Sequence, residues 1–563
     1  MKFDTALRSG LVGVLGVAVV GATIAATQRS DYAFFDPLID VKRLVSERYV
    51  EPPADAELQE GAIRGMIEAL GDPYTVYVPA ADRAEFNKGL TGEYVGIGAS
   101  INIVDGWLVI VSPLEDSPAF RAGLMAEDKV LEIDGVSTHN LGVDKCMQML
   151  QGTPGTTVNL VVERKGERVP VSIVRDRIKT RSVKGIHRDE TDPNRWQFTI
   201  DPARRVAYVR LTQFTPGCAD EVRQALLSLG ADKPASEGGL GGLVLDLRWN
   251  PGGLLSDAVE IADMLLREGT IVSTKGRAHA EQVARARDEG TLAQFPIVVL
   301  LNGSSASASE VLAGALAEND RAIVLGTRSF GKGSVQSVYT LDRAGGAELK
   351  ITEQAYYLPS GRSLHRTDDA AVWGVDPSPG FFLPLTDAQA VALLEVRRNE
   401  EIIRAGGSGA GGAGGAADAE PASAGAQRWS DPEWILDYLK DPQLSAAVRA
   451  LQGKIDSGTF TPASDPAAQA SAVAQGEAGR LIVARKRLAR ELSRVDRRLS
   501  ALDAGTAPNP EALWPEGADV AGGTLEVRDK DGNVVATLRI TDNDLQRWLM
   551  DAGVRKPEAD EKK

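Results

Sequence analysis

The chain has 563 residues, 43% hydrophobic and 25% charged, a composition that excludes both a wholly disordered chain and a multi-span membrane protein. Lysine and arginine total 63 against 78 aspartate and glutamate, and the net charge of −15 argues against nucleic acid as the principal partner. Two cysteines, Cys146 and Cys218, cannot build a disulfide framework or a four-cysteine metal site, and any chemistry needing histidine has four to choose from.

Residues 10–27 carry no charge and follow Lys2 and Arg8. As a helix they would run about 27 Å, between the core of a signal peptide and a short membrane anchor. Residues 1–29 are therefore expected to be a signal peptide or membrane anchor that sends the rest of the chain to the periplasm or cell envelope. Residues 30–91 read as a helical segment: Leu38, Val41, Leu44 and Val45, then Ile63, Met66, Ile67 and Leu70, recur at helical spacing, and Gly71-Asp72-Pro73 stops the second run. From 92 to 178 the pattern shortens to strands at 99–103, 108–111, 158–163 and 169–174, with one helix at 141–150.

From 179 to 404, apolar runs at 206–211, 243–247, 297–301 and 323–325 alternate with helical stretches at 218–229, 254–267 and 308–318. Such alternation predicts an α/β fold with a mixed or largely parallel sheet covered by helices. Residues 405–427 form a Gly/Ala-rich linker by composition. The remaining 428–563 read as a C-terminal α+β extension, with helices at 431–451 and 478–502 and a hairpin over 524–540 turning at Asp531-Gly532. In its second helix Leu481, Leu488, Leu492, Val495 and Leu499 are spaced as in a coiled coil, among eight basic side chains. A solvated helix packed along one stripe is the plainer reading, and self-association through 478–502 or contact with an anionic surface are the functional ones.

Three segments carry chemistry. Asn302-Gly303-Ser304-Ser305-Ala306-Ser307-Ala308-Ser309-Glu310 follows a buried apolar run and opens a helix. Strand, small-residue turn and helix is the geometry that lifts a serine to the mouth of a sheet, where first-turn N–H groups favour developing negative charge. The same Ser-x-x-Glu pattern fits a capping box, so Ser307 also reads simply as a helix cap, and the segment alone does not say which of its four serines reacts. No histidine lies in a motif-like setting near it. A lysine amine can serve as base if burial or nearby positive charge keeps it neutral, and Lys332 stands in a glycine-flanked turn, Gly331-Lys332-Gly333. The third segment is an apolar strand ending in Asn250-Pro251-Gly252-Gly253, a turn able to offer backbone N–H donors.

Together these segments resemble the C-terminal processing (tail-specific) peptidases, a family of Ser/Lys proteases with a PDZ domain. The Ser-Ala-Ser-Ala-Ser-Glu run and Phe330-Gly331-Lys332-Gly333-Ser334-Val335-Gln336 stand at family spacing, with Lys332 25 positions after Ser307. The likeness extends to Gly61-Ala62-Ile63-Arg64-Gly65-Met66, to Leu70-Gly71-Asp72-Pro73, and to Tyr356-Tyr357-Leu358-Pro359-Ser360-Gly361-Arg362-Ser363. It implies a serine endopeptidase with a ClpP/crotonase-like core and no metal or cofactor. Ser307 would be the nucleophile, Lys332 the general base and Gln336 the residue that orients the lysine amine. The oxyanion donors would be the N–H groups of Ala308 and Gly253, and Glu310 matches the family's closing acid.

Residues 92–178 resemble a permuted bacterial PDZ domain. Val95-Gly96-Ile97-Gly98 matches its carboxylate-binding loop, and Ser117-Pro118-Ala119-Phe120-Arg121-Ala122-Gly123-Leu124 with Asp128–Gly135 matches its strongest stretch. The expected substrates are exported proteins or peptides with apolar C-terminal tails, added as a strand to the domain's edge. The competing reading is a non-catalytic peptide-binding protein on a protease-like scaffold.

Overall fold

A computed structural model describes residues 33–404 and 428–466, apart from 190, 368, 369 and 371, and beyond them helical positions between 469 and 495 and two short strands. The apolar stretch at 10–27, the linker at 405–427 and the Asp531-Gly532 turn lie outside the described residues. The chain divides into two compact units: one runs to Pro377 and resumes over Pro384–Thr461, and the other comprises Ser378–Leu383 with Pro462 onward. The stretch beyond the linker is thus shared between the two.

Within the first unit, Val206–Leu211, Gly242–Asp246, Ile297–Leu301 and Ile323–Gly326 form a parallel sheet in that order, with Val183–Lys184 and Thr199–Asp201 antiparallel on Val206–Leu211. The first three strands are buried along their whole length, as their unbroken apolar sequences require of a sheet covered on both faces. Leu243, Leu245, Ile297, Val299 and Leu301 share one core with the helices Cys218–Ser228, Leu255–Leu265 and Ala308–Glu318. Alternation along a strand turns Val244, Val298 and Leu300 to the opposite face. That face meets the helix Pro442–Ser457, whose Leu444, Ala447, Val448 and Leu451 are buried.

The sequence suggested one helix over 431–451, and the structure has two, Pro432–Tyr438 and Pro442–Ser457. Pro442 lacks the N–H that would continue the first, and the Asp441 carboxylate caps the second by accepting from Leu444 N–H at 2.9 Å. A second sheet was not anticipated. In it Val76–Val78, Ala347–Tyr357, Thr270–Gly276 and Gln282–Arg285 lie antiparallel, with Ser334–Leu341 also paired to Ala347–Tyr357.

The 92–178 region contains an antiparallel sheet in the order Ala99–Val104, Trp107–Pro113, Lys129–Ile133, Thr157–Arg164, Glu167–Val174. Its core of Leu108, Ile110, Val130, Ile133, Cys146 and Val158 is fully buried. Ahead of it, the helices Asp36–Arg48 and Asp55–Glu68 contain no buried residue, so their apolar stripes, Leu38, Val41 and Leu44 among them, face outward. Among the described residues no helix is long and apolar enough to cross a membrane.

In the second unit the Gly380 carbonyl accepts from the N–H groups of Ala463 and Ser464, both at 2.9 Å. Thr524–Arg528 pairs antiparallel with Val534–Arg539, the hairpin expected there.

Candidate active site

The parallel sheet delivers the serine-rich segment from the end of Ile297–Leu301. Ser305 Oγ donates to the Leu247 carbonyl at 2.8 Å and Ser309 Oγ to the Asn250 carbonyl at 3.0 Å. Two of the four serines are therefore stitches that bind this segment to the 247–253 turn, and Ser304 is exposed. Ser307 is 5% exposed and occupies the N-cap of Ala308–Glu318 with φ 57° and ψ −116°. A residue with a Cβ is strained at that positive φ, so the surrounding contacts must hold it there. Of the capping box that the sequence allowed, the Glu310 half is made, its carboxylate accepting from Ser307 N–H at 2.8 Å, while the Ser307 carbonyl and not its hydroxyl accepts from Glu310 N–H, also at 2.8 Å.

Glu310 is fully buried and organises the site. Its Oε2 accepts from the N–H of Ser307 and the N–H of Lys332, each at 2.8 Å, while Oε1 accepts from Ser329 Oγ at 2.5 Å and Gly331 N–H at 2.6 Å. Burial raises its pKa, and the four hydrogen bonds pull the other way. Two segments predicted from separate parts of the sequence thus meet on one carboxylate.

The Lys332 ammonium lies 5.0 Å from the centre of the Tyr74 ring. Burial lowers its pKa, the charge of Lys350 lowers it further, and Glu310 and Asp72 act in the opposite sense. Among the described residues no hydrogen bond joins Lys332 Nζ to Ser307 Oγ. Gln336 donates through Nε2 to Ser334 Oγ at 2.8 Å and Thr352 Oγ1 at 3.2 Å, and makes no hydrogen bond to Lys332.

The glycine turn lies against the serine. Gly252 has φ +98°, and a Cβ placed there would stand 2.8 Å from Ser307 Cβ and 3.0 Å from Ala308 N. Its N–H is taken by Asn250 Oδ1 at 2.9 Å, and its carbonyl accepts from Phe214 N–H at 2.9 Å. Gly253 has φ +140°, and a Cβ there would collide with the Phe214 carbonyl. The N–H groups of Ala308 and Gly253 have no hydrogen-bond partner among the described residues, and both belong to segments that abut Ser307. Burial pushes the Tyr356 hydroxyl up to about 12, with the Ser307 hydroxyl beside it acting the other way.

Sequence reasoning missed Tyr74 and Lys350. Asp72 ties down the first through hydrogen bonds from Tyr74 N–H at 3.0 Å and Thr75 Oγ1 at 2.6 Å, so the Gly71-Asp72-Pro73 stop also shapes the lysine's surroundings. Lys350 arrives on the unanticipated sheet, paired with Val76, and no local signal marked it.

In the 92–178 region, Val95 and Gly96 close a short ladder opposite Arg177 and Asp176. Ile97 and Gly98 follow with their N–H groups unpaired among the described residues, while their carbonyls accept from Ala119 and Leu114. Gly98 needs its φ of +75° and its missing Cβ, which would strike Ser117. Next to this loop, Ala99–Val104 is an edge strand, and Ile101, Ile103 and Met149 are only partly buried between it and the helix Val143–Leu150.

Comparison with known proteins agrees in all three regions. Residues 205–378 match peptidase family S41, 109–164 match the PDZ domain, and 23–81 match the N-terminal domain of the activating protease CtpB. The chain is 34% identical to a carboxy-terminal-processing protease of Bartonella bacilliformis over 429 residues, covering 75% of this chain and 89% of that one. It is 31% identical to a probable CtpA-like serine protease of Staphylococcus haemolyticus over 377 residues, 65% and 71% of the two chains. Among solved structures, the photosystem II D1 C-terminal processing protease aligns over 61% of this chain and 86% of its own at 28% identity, with a TM-score of 0.36. The extent of the first of these relationships settles the family: this chain is a serine endopeptidase of the PDZ-containing carboxy-terminal-processing proteases, peptidase family S41.

Proposed function

We propose that Ser307 and Lys332 are the catalytic dyad. The observation that carries this is the shared Glu310 oxygen, which holds both backbones, with two N–H groups in segments that abut Ser307, Ala308 and Gly253, left without a hydrogen-bond partner among the described residues. Neutral Lys332 takes the Ser307 proton as Oγ attacks a peptide carbonyl. The N–H groups of Ala308 and Gly253 receive the oxyanion, each worth about 2.7–4 kcal/mol if other acyl-transfer sites are a guide. Water then hydrolyses the acyl-enzyme. Before attack the lysine side chain leaves the face of Tyr74 by rotation about its own bonds, and the Gln336 amide oxygen accepts from the amine to hold it there. The depressed pKa of Lys332 supports its role as a base.

Substrates are proteins or peptides whose apolar C-terminal tails enter between the edge strand Ala99–Val104 and the helix Val143–Leu150, with the carboxylate on the free N–H groups of Ile97 and Gly98. Localisation in the periplasm or cell envelope, anchoring through 10–27 and self-association through 478–502 belong to this proposal on sequence grounds alone. Fluorophosphonate labelling followed by peptide mapping tests the dyad. The label is expected on Ser307 and absent in Lys332→Ala, with the variant still folded; a label on Ser304, Ser305 or Ser309, or a Lys332→Ala enzyme that still cleaves, overturns it.

A further inference from the structure

We infer that Asp441, which follows the Gly/Ala-rich linker, is a positioning residue for the oxyanion turn and acts through Arg248. The inference rests on the reading of the 250–253 turn given above.

Arg248 stands two positions before that turn, with Trp249 between, and its side chain is fully buried. All five of its N–H donors are used. Nε bonds Asp246 Oδ1 at 2.9 Å, Nη1 bonds Asp441 Oδ1 at 2.8 Å and Gln443 Oε1 at 2.9 Å, and Nη2 bonds Asp246 Oδ2 and Asp441 Oδ2, both at 2.7 Å. Three of these five bonds go to Asp441 and Gln443, 193 and 195 residues further along the chain. Arg397 closes the cage, donating to Asp246 Oδ2 at 2.6 Å and to Asp441 Oδ2 at 3.2 Å. Burial alone would raise both carboxyls, yet the guanidiniums of Arg248 and Arg397 hold them below the usual range.

Two arginines thus face two aspartates with no net charge, and the arrangement has a mechanical consequence. Trp249, the next residue, has φ +59°, a conformation unfavourable for an aromatic side chain. Both guanidiniums lie over its ring, Arg248 at 5.7 Å and Arg397 at 5.2 Å from the centre, and its N–H is held by Asn302 Oδ1 at 3.0 Å. The strained residue sets the direction in which Asn250-Pro251-Gly252-Gly253 leaves the strand, and Arg248 is its upstream anchor. Asp441 belongs to the helix pair that covers the far face of the parallel sheet, where Leu451 packs on Gly242. Docking of a segment that chemistry does not touch therefore fixes the turn that faces Ser307.

The test uses the full-length enzyme with an internally quenched tail-bearing peptide and a peptide trifluoromethyl ketone, which forms a tetrahedral adduct. Asp441→Asn is expected to lower kcat roughly ten- to a hundred-fold and weaken the ketone in proportion, with KM within about twofold, at a temperature where circular dichroism shows a folded chain. The double variant Asp441→Asn/Arg397→Gln restores charge balance without restoring the fork on Arg248. Recovered melting temperature with kcat still low supports positioning; recovered kcat shows that Asp441 only balances charge and overturns it. An Asp441→Asn kcat within twofold of wild type overturns the inference while leaving the dyad intact. A kcat loss without the matching loss of ketone affinity overturns the assignment of the turn itself, and with it this route.

Discussion

The backbone N–H groups of Ser307 and Lys332 converge on a single atom, Oε2 of Glu310, at 2.8 Å each. The two residues can be no further apart along that path than two hydrogen bonds end to end, although 24 residues separate them in the chain. The other oxygen of the same carboxylate fixes Ser329 and Gly331, so the whole turn before the lysine is referenced to the helix that carries the serine. Glu310→Gln keeps the shape and replaces one acceptor with a donor, leaving two buried donors facing an NH₂ group. The expected result is a loss of about 2–6 kcal/mol in urea unfolding, since each of the two orphaned buried donors costs about 1–3 kcal/mol. Displacement of the lysine turn by even about 1 Å should lower kcat at least roughly a hundredfold. A variant with unchanged unfolding midpoint and kcat would show that the clamp does nothing.

The lysine supplies a pH prediction whose sign can be worked out. Burial and then Lys350 lower the Lys332 pKa from the ordinary 10.5. The active form is the free amine, so kcat/KM should rise with pH and level off below 10.5. Lys350→Ala removes one of the two causes and should move that rise to higher pH without altering the plateau. Below 10.5 the unfolded chain binds the Lys332 proton more tightly than the folded chain does, so this residue's penalty is full below its folded pKa and fades as pH rises towards 10.5. Lys332→Met should therefore abolish cleavage yet raise the melting temperature at neutral pH, and this increment should shrink in alkaline buffer. An acid limb unmoved by Lys350→Ala removes Lys332 from the profile.

Gly252 offers a steric test close to the serine. An added methyl would press on Ser307 Cβ, the Ala306 carbonyl and Ala308 N, and φ +98° is itself unfavourable for alanine. Gly252→Ala should cost about 1–3 kcal/mol of stability by the usual range for such changes. Because the pressure falls on the nucleophile segment, kcat should drop far more than the melting temperature implies, and fluorophosphonate labelling should slow in parallel. Labelling at the wild-type rate would show that the turn yields instead of the serine.

The sequence made the parallel sheet and its helices legible because their signals are local. Unbroken apolar runs such as 297–301 have no other comfortable environment, and the helices at 218–229, 254–267 and 308–318 fall within two residues of the observed bounds. The second sheet was invisible for the opposite reason. Ser334–Leu341 and Ala347–Tyr357 are mostly half-buried and carry polar residues on both faces, so neither periodicity appears. Proximity was the other blind spot. Ser307, Lys332 and the glycine turn stood out as motifs, but Tyr74 beside the lysine, Lys350 acting on it and Asp441 holding Arg248 are ordinary residues whose significance exists only once distant strands and helices meet. Spacing puts Leu38, Val41 and Leu44 on one stripe of Asp36–Arg48, but spacing does not say whether a partner surface is present.

The edge strand Ala99–Val104 carries the last prediction. Among the described residues it hydrogen-bonds to one neighbouring strand, Trp107–Pro113, which leaves its other side open to a peptide backbone. Ile101 and Ile103 are half-buried on the side facing the helix Val143–Leu150, together with Met149, so a bound tail would lay its side chains on an apolar floor. Placing a carboxylate on that floor, as in Ile101→Asp, both removes apolar contact and repels the terminal carboxylate of the tail. Ile101 is only half-buried and packs on the rim of the module's core, so kinetics are compared at a temperature where circular dichroism shows the variant folded. The expected outcome is a KM raised at least roughly tenfold for peptides ending in apolar residues, the equivalent of about 1.4 kcal/mol. The same peptides with an amidated C-terminus should be cleaved nearly as before, because they gain little from this groove at the outset. Equal losses for both peptide classes would mean that the groove contributes to folding or gating and not to the reading of tails.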